Sequence, residues 1–145
     1  MLCVGTLLML RLLKFFLLIL FVTAVSAKEY AVVASFATPP LSQNKIRALF
    51  LKKSEYLGDT KVVVLNLALG NPVRSSFEKK VLHMSRLHLK SYWTRQHYLG
   101  HRPPISMKSQ KSMQIFLKNV HGAIGYGELG KIEKDLHVLY RWSDE

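Results

Sequence analysis

Seven consecutive residues, Gly70-Asn71-Pro72-Val73-Arg74-Ser75-Ser76, are of the types and spacing that could bind an anion. Asn71 is a favoured helix N-cap and Pro72 a favoured first helical residue, so a helix is predicted to start here. The start of a helix presents amides without intrahelical partners and the positive end of the helix dipole, a combination that suits phosphate or sulfate. Gly70 lets a ligand approach the backbone closely, and Val73 contributes its amide. Arg74 adds a guanidinium fork, and Ser75 and Ser76 add hydroxyl donors. Pro72 removes one amide, which leaves fewer donors than a glycine-rich loop would offer. A capped helix with a solvated Arg74 would show the same residues. Ser35 and Arg102 are secondary candidates for the same anion, and each also reads as a turn residue or a surface charge.

Other chemistries find little support. The six histidines include His97 and His101, four apart, but Gly100 between them ends the helix that would place them on one face. No acidic cluster joins them, so no metal is expected. Gly-x-Ser-x-Gly, Walker and dinucleotide patterns are all lacking. Glu78, Glu128, Glu133 and Asp135 lie scattered among cations rather than paired for acid–base work. A binding protein without catalysis or cofactor is therefore expected.

The first residues say where that binding would occur. Arg11 and Lys14 precede an apolar run from Phe15 to Val22, and Val25-Ser26-Ala27 supplies the small residues of a signal-peptide cleavage site. The run is shorter than the roughly 20 apolar residues a spanning helix needs. Residues 1–27 thus read as a cleavable secretory leader and 28–145 as one exported domain. The alternatives are an inner-membrane anchor left uncleaved and a start at Met9. Nineteen cations against nine acids remain once Arg11 and Lys14 are removed, a net +10. Cys3, the only cysteine, lies in the leader, which excludes disulfides and thiol chemistry from the exported domain. The positive excess attracts small anions, acidic lipids or anionic polymers. No nucleic-acid-binding signature accompanies it, and no nucleic-acid partner is expected.

Periodicity places the supporting elements. Glu29–Phe36 is apolar on both faces and predicts a buried central strand. Ser42 caps a helix whose stripe is Ile46, Leu49 and Phe50, with Leu41 stapled onto Ile46. Tyr56–Thr60 reads as a turn and Val62–Ala68 as a second strand. Val73, Phe77, Val81 and Met84 follow Pro72 at helical spacing. Ser85 starts a further helix lined by Leu89, Tyr92 and Trp93 and broken at Gly100. Gly100–Ser106, with Arg102-Pro103-Pro104, reads as an extended connection. Ser109 caps a helix carrying Met113, Phe116, Leu117 and Val120. Gly122–Tyr126 is a strand entry, Glu128–Asp135 a polar link and Leu136–Trp142 a last strand. This order indicates an α/β fold with a small mixed sheet flanked by helices.

Five pieces in one order carry a resemblance: the Leu41-Ser42 helix ending Ile46–Leu51, Pro72–Phe77, Ser85 followed by Leu89, Tyr92 and Trp93, Arg102-Pro103-Pro104, and Gly122–Tyr126. Together they resemble the short exported members of the phosphate-binding-protein-like group, relatives of the substrate-binding proteins of phosphate ABC transporters. The resemblance implies a single lobe of a type II periplasmic binding protein, where full-length relatives close two lobes on an oxyanion. Lys52-Lys53 stands where those relatives have Gly-Lys, Tyr56 where they have Trp, and Leu69-Gly70-Asn71-Pro72 where they have a longer phosphate loop. The implied function is periplasmic binding of phosphate or a similar oxyanion, with an ABC transporter or another envelope protein as partner. The alternative is an envelope protein-interaction module that binds no ligand and uses its basic surface.

Overall fold

The computed structural model describes residues 2–19 and 26–145. Along the chain run α1 (Leu2–Ile19), β1 (Glu29–Ala34), α2 (Gln43–Phe50), a small hairpin of β2 (Tyr56–Leu57) and β3 (Thr60–Lys61), and β4 (Val63–Leu67). They are followed by α3 (Pro72–Lys80), α4 (Arg86–Tyr98), β5 (Ile105–Met107), α5 (Gln110–Asn119), β6 (Ala123–Glu128), a 3-10 turn (Leu129–Lys131) and β7 (His137–Ser143). Arg11 and Lys14 lie within α1, whereas Val25 of the expected cleavage site lies outside the described residues. Among the described residues no helix is long and apolar enough to cross a membrane.

Five strands form one mixed sheet in the order β5-β4-β6-β1-β7. β1 sits between β6 and β7 and is antiparallel to both, while β4 is parallel to β6 and to β5. Tyr30 to Ala34 are all buried, as expected for a strand covered on both faces. The expected N-caps hold: the side chains of Ser42, Asn71, Ser85 and Ser109 each accept a backbone amide at a helix start. Ser109 also exchanges a second bond with Ser112, completing a capping box.

The core is knitted by aromatic rings. Phe77 stacks on Tyr126 with centroids 4.1 Å apart, and Phe50 meets Phe77 edge-on at 4.7 Å. Tyr30 stacks on Trp142 at 5.2 Å, which ties β1 to β7. Stacked and edge-on pairs of this kind add to the gain from burial itself.

Three local expectations need correction. Val81 and Met84 fit the helical spacing of α3, but the helix ends at Lys80 and His83 takes a left-handed φ of 52°. Gln43 holds this bend by donating to the carbonyls of Lys80 and Val81, at 3.0 and 3.1 Å. The end of the Gly100–Ser106 connection is drawn into the sheet as β5 by the free edge of β4. The Tyr56–Thr60 turn carries a two-residue strand on each side.

Candidate functional site

β4 ends at Leu67, and Gly70 turns the chain into α3 with a left-handed φ of 86°, where a side chain would strain the backbone. Asn71 then caps the helix: its Oδ1 accepts the Val73 amide at 2.9 Å. The helix itself uses the next residues, with the Ser75 amide bonded to the Asn71 carbonyl at 3.1 Å and the Ser75 hydroxyl on the same oxygen at 3.4 Å. The Val73 amide, expected to face a ligand, is thus satisfied by the protein.

Arg74 is built into the wall. Its Nη1 donates to the Leu67 carbonyl at 2.8 Å and its Nε to Glu78 Oε1 at 2.7 Å. The other Glu78 oxygen receives Arg86 Nη2 from α4 at 3.0 Å. Glu78 is only 4 % exposed, so one enclosed carboxylate holds two guanidinium groups. Nη2 of Arg74 has no protein partner among the described residues.

Ser76 points elsewhere. Its hydroxyl donates to Asp144 and accepts the indole N–H of Trp142 at 2.9 Å. Asp144 also receives the Tyr30 hydroxyl at 2.5 Å. The hydrogen bonds from Ser76 and Tyr30 hold the Asp144 carboxyl below its usual range. Burial first, and the adjoining Asp144 second, push the Tyr30 hydroxyl up to about 12.

The remaining candidates do not join this group. Ala34 pairs with Ile124 near the start of β4, so Ser35 lies at the end of the sheet opposite Gly70, with its hydroxyl on the Val120 carbonyl at 3.1 Å. Arg102 is exposed in the α4–β5 connection. The structure therefore brings Gly70, Asn71, Val73, Arg74 and Ser75 to one helix start, turns the Ser76 side chain away to Trp142 and Asp144, and places Ser35 at the other end of the sheet.

Beside Arg74 opens a cavity of about 420 Å³ between the end of β4, α3 and α4. Its polar lining is Asn66, Arg74, Glu78, Arg86 and Lys90, and its apolar lining includes Phe50, Leu51, Leu82, Leu89 and Trp93. Three cations face one acid there, which leaves the cavity electropositive. Sequence reading missed Asn66, Arg86 and Lys90 as site residues and took Glu78 for a scattered acid. One signal was available, since Glu78 is the lone acid between Asp59 and Glu128 and stands four residues after Arg74.

No known protein family's sequence profile matches the chain, and none of the curated proteins matches it. Solved structures do. An ABC-type phosphate transport receptor from Vibrio cholerae superposes with a TM-score of 0.62 at 13 % identity, over 78 % of this chain and 46 % of that one. A Clostridium perfringens protein solved with bound phosphate, described as a phosphate ABC transporter substrate-binding protein, gives 0.64 at 12 %, over 78 % and 44 %. PstS from Borrelia burgdorferi gives 0.59 at 17 %, over 78 % and 47 %. This is part of a solute-binding-protein fold. At such identities the likeness is one of fold, and the chain spans less than half the length of each structure. Within that fold, the expected mixed sheet flanked by helices is borne out.

Proposed function

We propose that this chain is an exported solute-binding module, without catalysis, that holds a small phosphate-like oxyanion where β4 gives way to α3. The observation that supports it best is Arg74 at the carboxyl end of β4, fixed through two of its nitrogens while the third is unpartnered at an electropositive cavity. A fixed guanidinium is a stronger anion partner than a flexible one, because less rotamer freedom is lost on binding. The shared fold with phosphate-binding receptors supports the same ligand class, and the leader pattern read in the sequence of residues 1–27 supports a periplasmic site of action. An ABC uptake or sensing system is the partner this implies.

Calorimetry of the exported chain with inorganic phosphate tests the proposal. Saturable heat that persists at moderate salt and falls at least about ten-fold in affinity on Arg74→Lys is expected, since lysine keeps the charge and loses the fork. A second reading, a protein-interaction module, is favoured by α4. That helix buries only Leu89 and exposes Leu87 and Tyr98, with Leu99 just beyond it, while no acid occurs from residue 79 to 127. Heat seen only at low salt and indifferent to Arg74→Lys would favour this module instead.

A further inference from the structure

We propose that the cavity takes an anion with an apolar body, a small aromatic or branched carboxylate, with its charged end at Asn66 and Arg74 and its hydrocarbon against Leu82, Leu89 and Trp93. This rests on the assignment of Arg74 to anion binding and revises the ligand: a carboxylate with an apolar body uses the whole cavity, whereas phosphate meets only its charged end and binds more weakly. Size is the first reason. A tetrahedral oxyanion is only a few times the ~30 Å³ share of a water molecule. It would leave most of 420 Å³ to water against largely apolar walls.

The orientation of Asn66 is the second reason. The Tyr126 hydroxyl accepts the Leu67 amide at 3.2 Å, so its own proton goes to Asn66. An amide oxygen can accept that proton and an amide nitrogen cannot, which fixes Oδ1 toward Tyr126 and turns Nδ2 the other way. Asn66 is 8 % exposed, lines the cavity, and has no protein partner for Nδ2 among the described residues. Among the described residues no fully buried side-chain nitrogen or oxygen lacks a partner, so Nδ2 is not sealed in the core but accessible, on a residue that lines the cavity. Arg74 reaches the carbonyl of the very next residue, Leu67, lines the same cavity, and has Nη2 without a protein partner among the described residues.

Charge and walls settle the rest. Glu78 is already matched by Arg74 and Arg86, whereas Lys90 has no ion pair among the described residues. The surplus favours an anion over a cation or a neutral molecule. Phe50, Leu51, Leu82 and Leu89 are buried apolar residues and offer no hydrogen bonds to the several oxygens of a doubly charged phosphate. A carboxylate presents two oxygens to two donors and leaves its hydrocarbon for those walls.

The test titrates the exported chain with phenylacetate, phenylacetamide, acetate and inorganic phosphate, read by calorimetry and by NMR. Phenylacetate should bind at least about ten-fold tighter than the other three. Trp93→Ala should weaken phenylacetate several-fold without changing phosphate, and Lys90→Ala should weaken phenylacetate and not phenylacetamide. If phosphate or acetate binds as well as phenylacetate, the apolar ligand is overturned while anion binding at Arg74 stands. If phenylacetamide matches phenylacetate, the cavity is apolar-selective and both assignments of charge fail. Binding by none of the four overturns both.

Discussion

Arg74 and Glu78 meet at 2.7 Å one helical turn apart on α3, and the carboxylate that joins them also anchors Arg86 of α4. The pair is therefore less a surface salt bridge than a strut between two helices. With side-chain exposures of 16 % and 5 %, neither partner can fall back fully on water if the other is removed. Glu78→Gln should cost about 2–4 kcal/mol, somewhat under the ~3–5 kcal/mol of a fully buried pair because the Arg86 side chain is 44 % exposed. Urea unfolding checks this, and Arg74→Met in the Glu78→Gln background should recover part of the loss. A cost under about 0.5 kcal/mol would place the pair with ordinary surface charges.

The carboxylate of Asp144, clasped by Ser76 and Tyr30, predicts an acid dependence. Its folded-state pKa is lowered, so its contribution is present above the unfolded value near 4 and lost as pH falls through the folded value. Asp144→Asn should lower the Tm at pH 7, and the gap to the wild type should close as pH drops below about 4. Tyr30 acts in the opposite direction. Its pKa is raised to about 12, so the contribution is intact below the unfolded value near 10 and is lost between there and about 12. Thermal melts across both limbs measure the two effects. A gap unchanged down to pH 2 would show that the clasp does not couple to folding.

Much of this fold was legible because it rests on local rules. Ser42, Asn71, Ser85 and Ser109 cap helices because short polar side chains match orphan amides, and that pairing needs no knowledge of the tertiary structure. The burial of β1 was legible in its unbroken apolar run. The pairing of β5 was not, since Ile105–Met107 becomes a strand only because β4 offers it an edge. The site divides along the same line. Asn71 and Arg74 stand out from local sequence, but the departure of Ser76 toward Trp142 depends on where β7 returns, 66 residues later. Asn66 was hidden because its role follows from Tyr126, 60 residues away on a neighbouring strand.

Asn71 separates two ways of using the helix start. Because its Oδ1 occupies the Val73 amide, an anion that needed this amide would compete with the cap. Asn71→Ala should cost about 1 kcal/mol of stability, and Asn71→Gly only a few tenths. Asn71→Gly should leave phosphate affinity unchanged if the ligand is held at Arg74 and Asn66, and raise it if the Val73 amide is a ligand donor. Calorimetry beside urea unfolding distinguishes the outcomes.

Gly125 links the packing of the sheet to the cavity. A Cβ built there would lie 2.5 Å from Met113 Sδ and 2.9 Å from its Cγ, with Leu117 Cδ1 at 3.5 Å. Met113 is buried on α5, and its sulfur accepts the amide of Tyr126 at 3.2 Å. Gly125→Ala should therefore destabilise by about 1–3 kcal/mol, as overpacking of a tight core does. The strain falls beside Tyr126, whose hydroxyl orients Asn66, so anion affinity should decline with stability rather than remain at the wild-type level. Met113→Ala in the Gly125→Ala background frees the space and should restore part of both, giving a coupling of about 0.5–3 kcal/mol between the two substitutions. Strict additivity would mean that Met113 moves aside without cost and that the β6 backbone passes nothing on to Asn66.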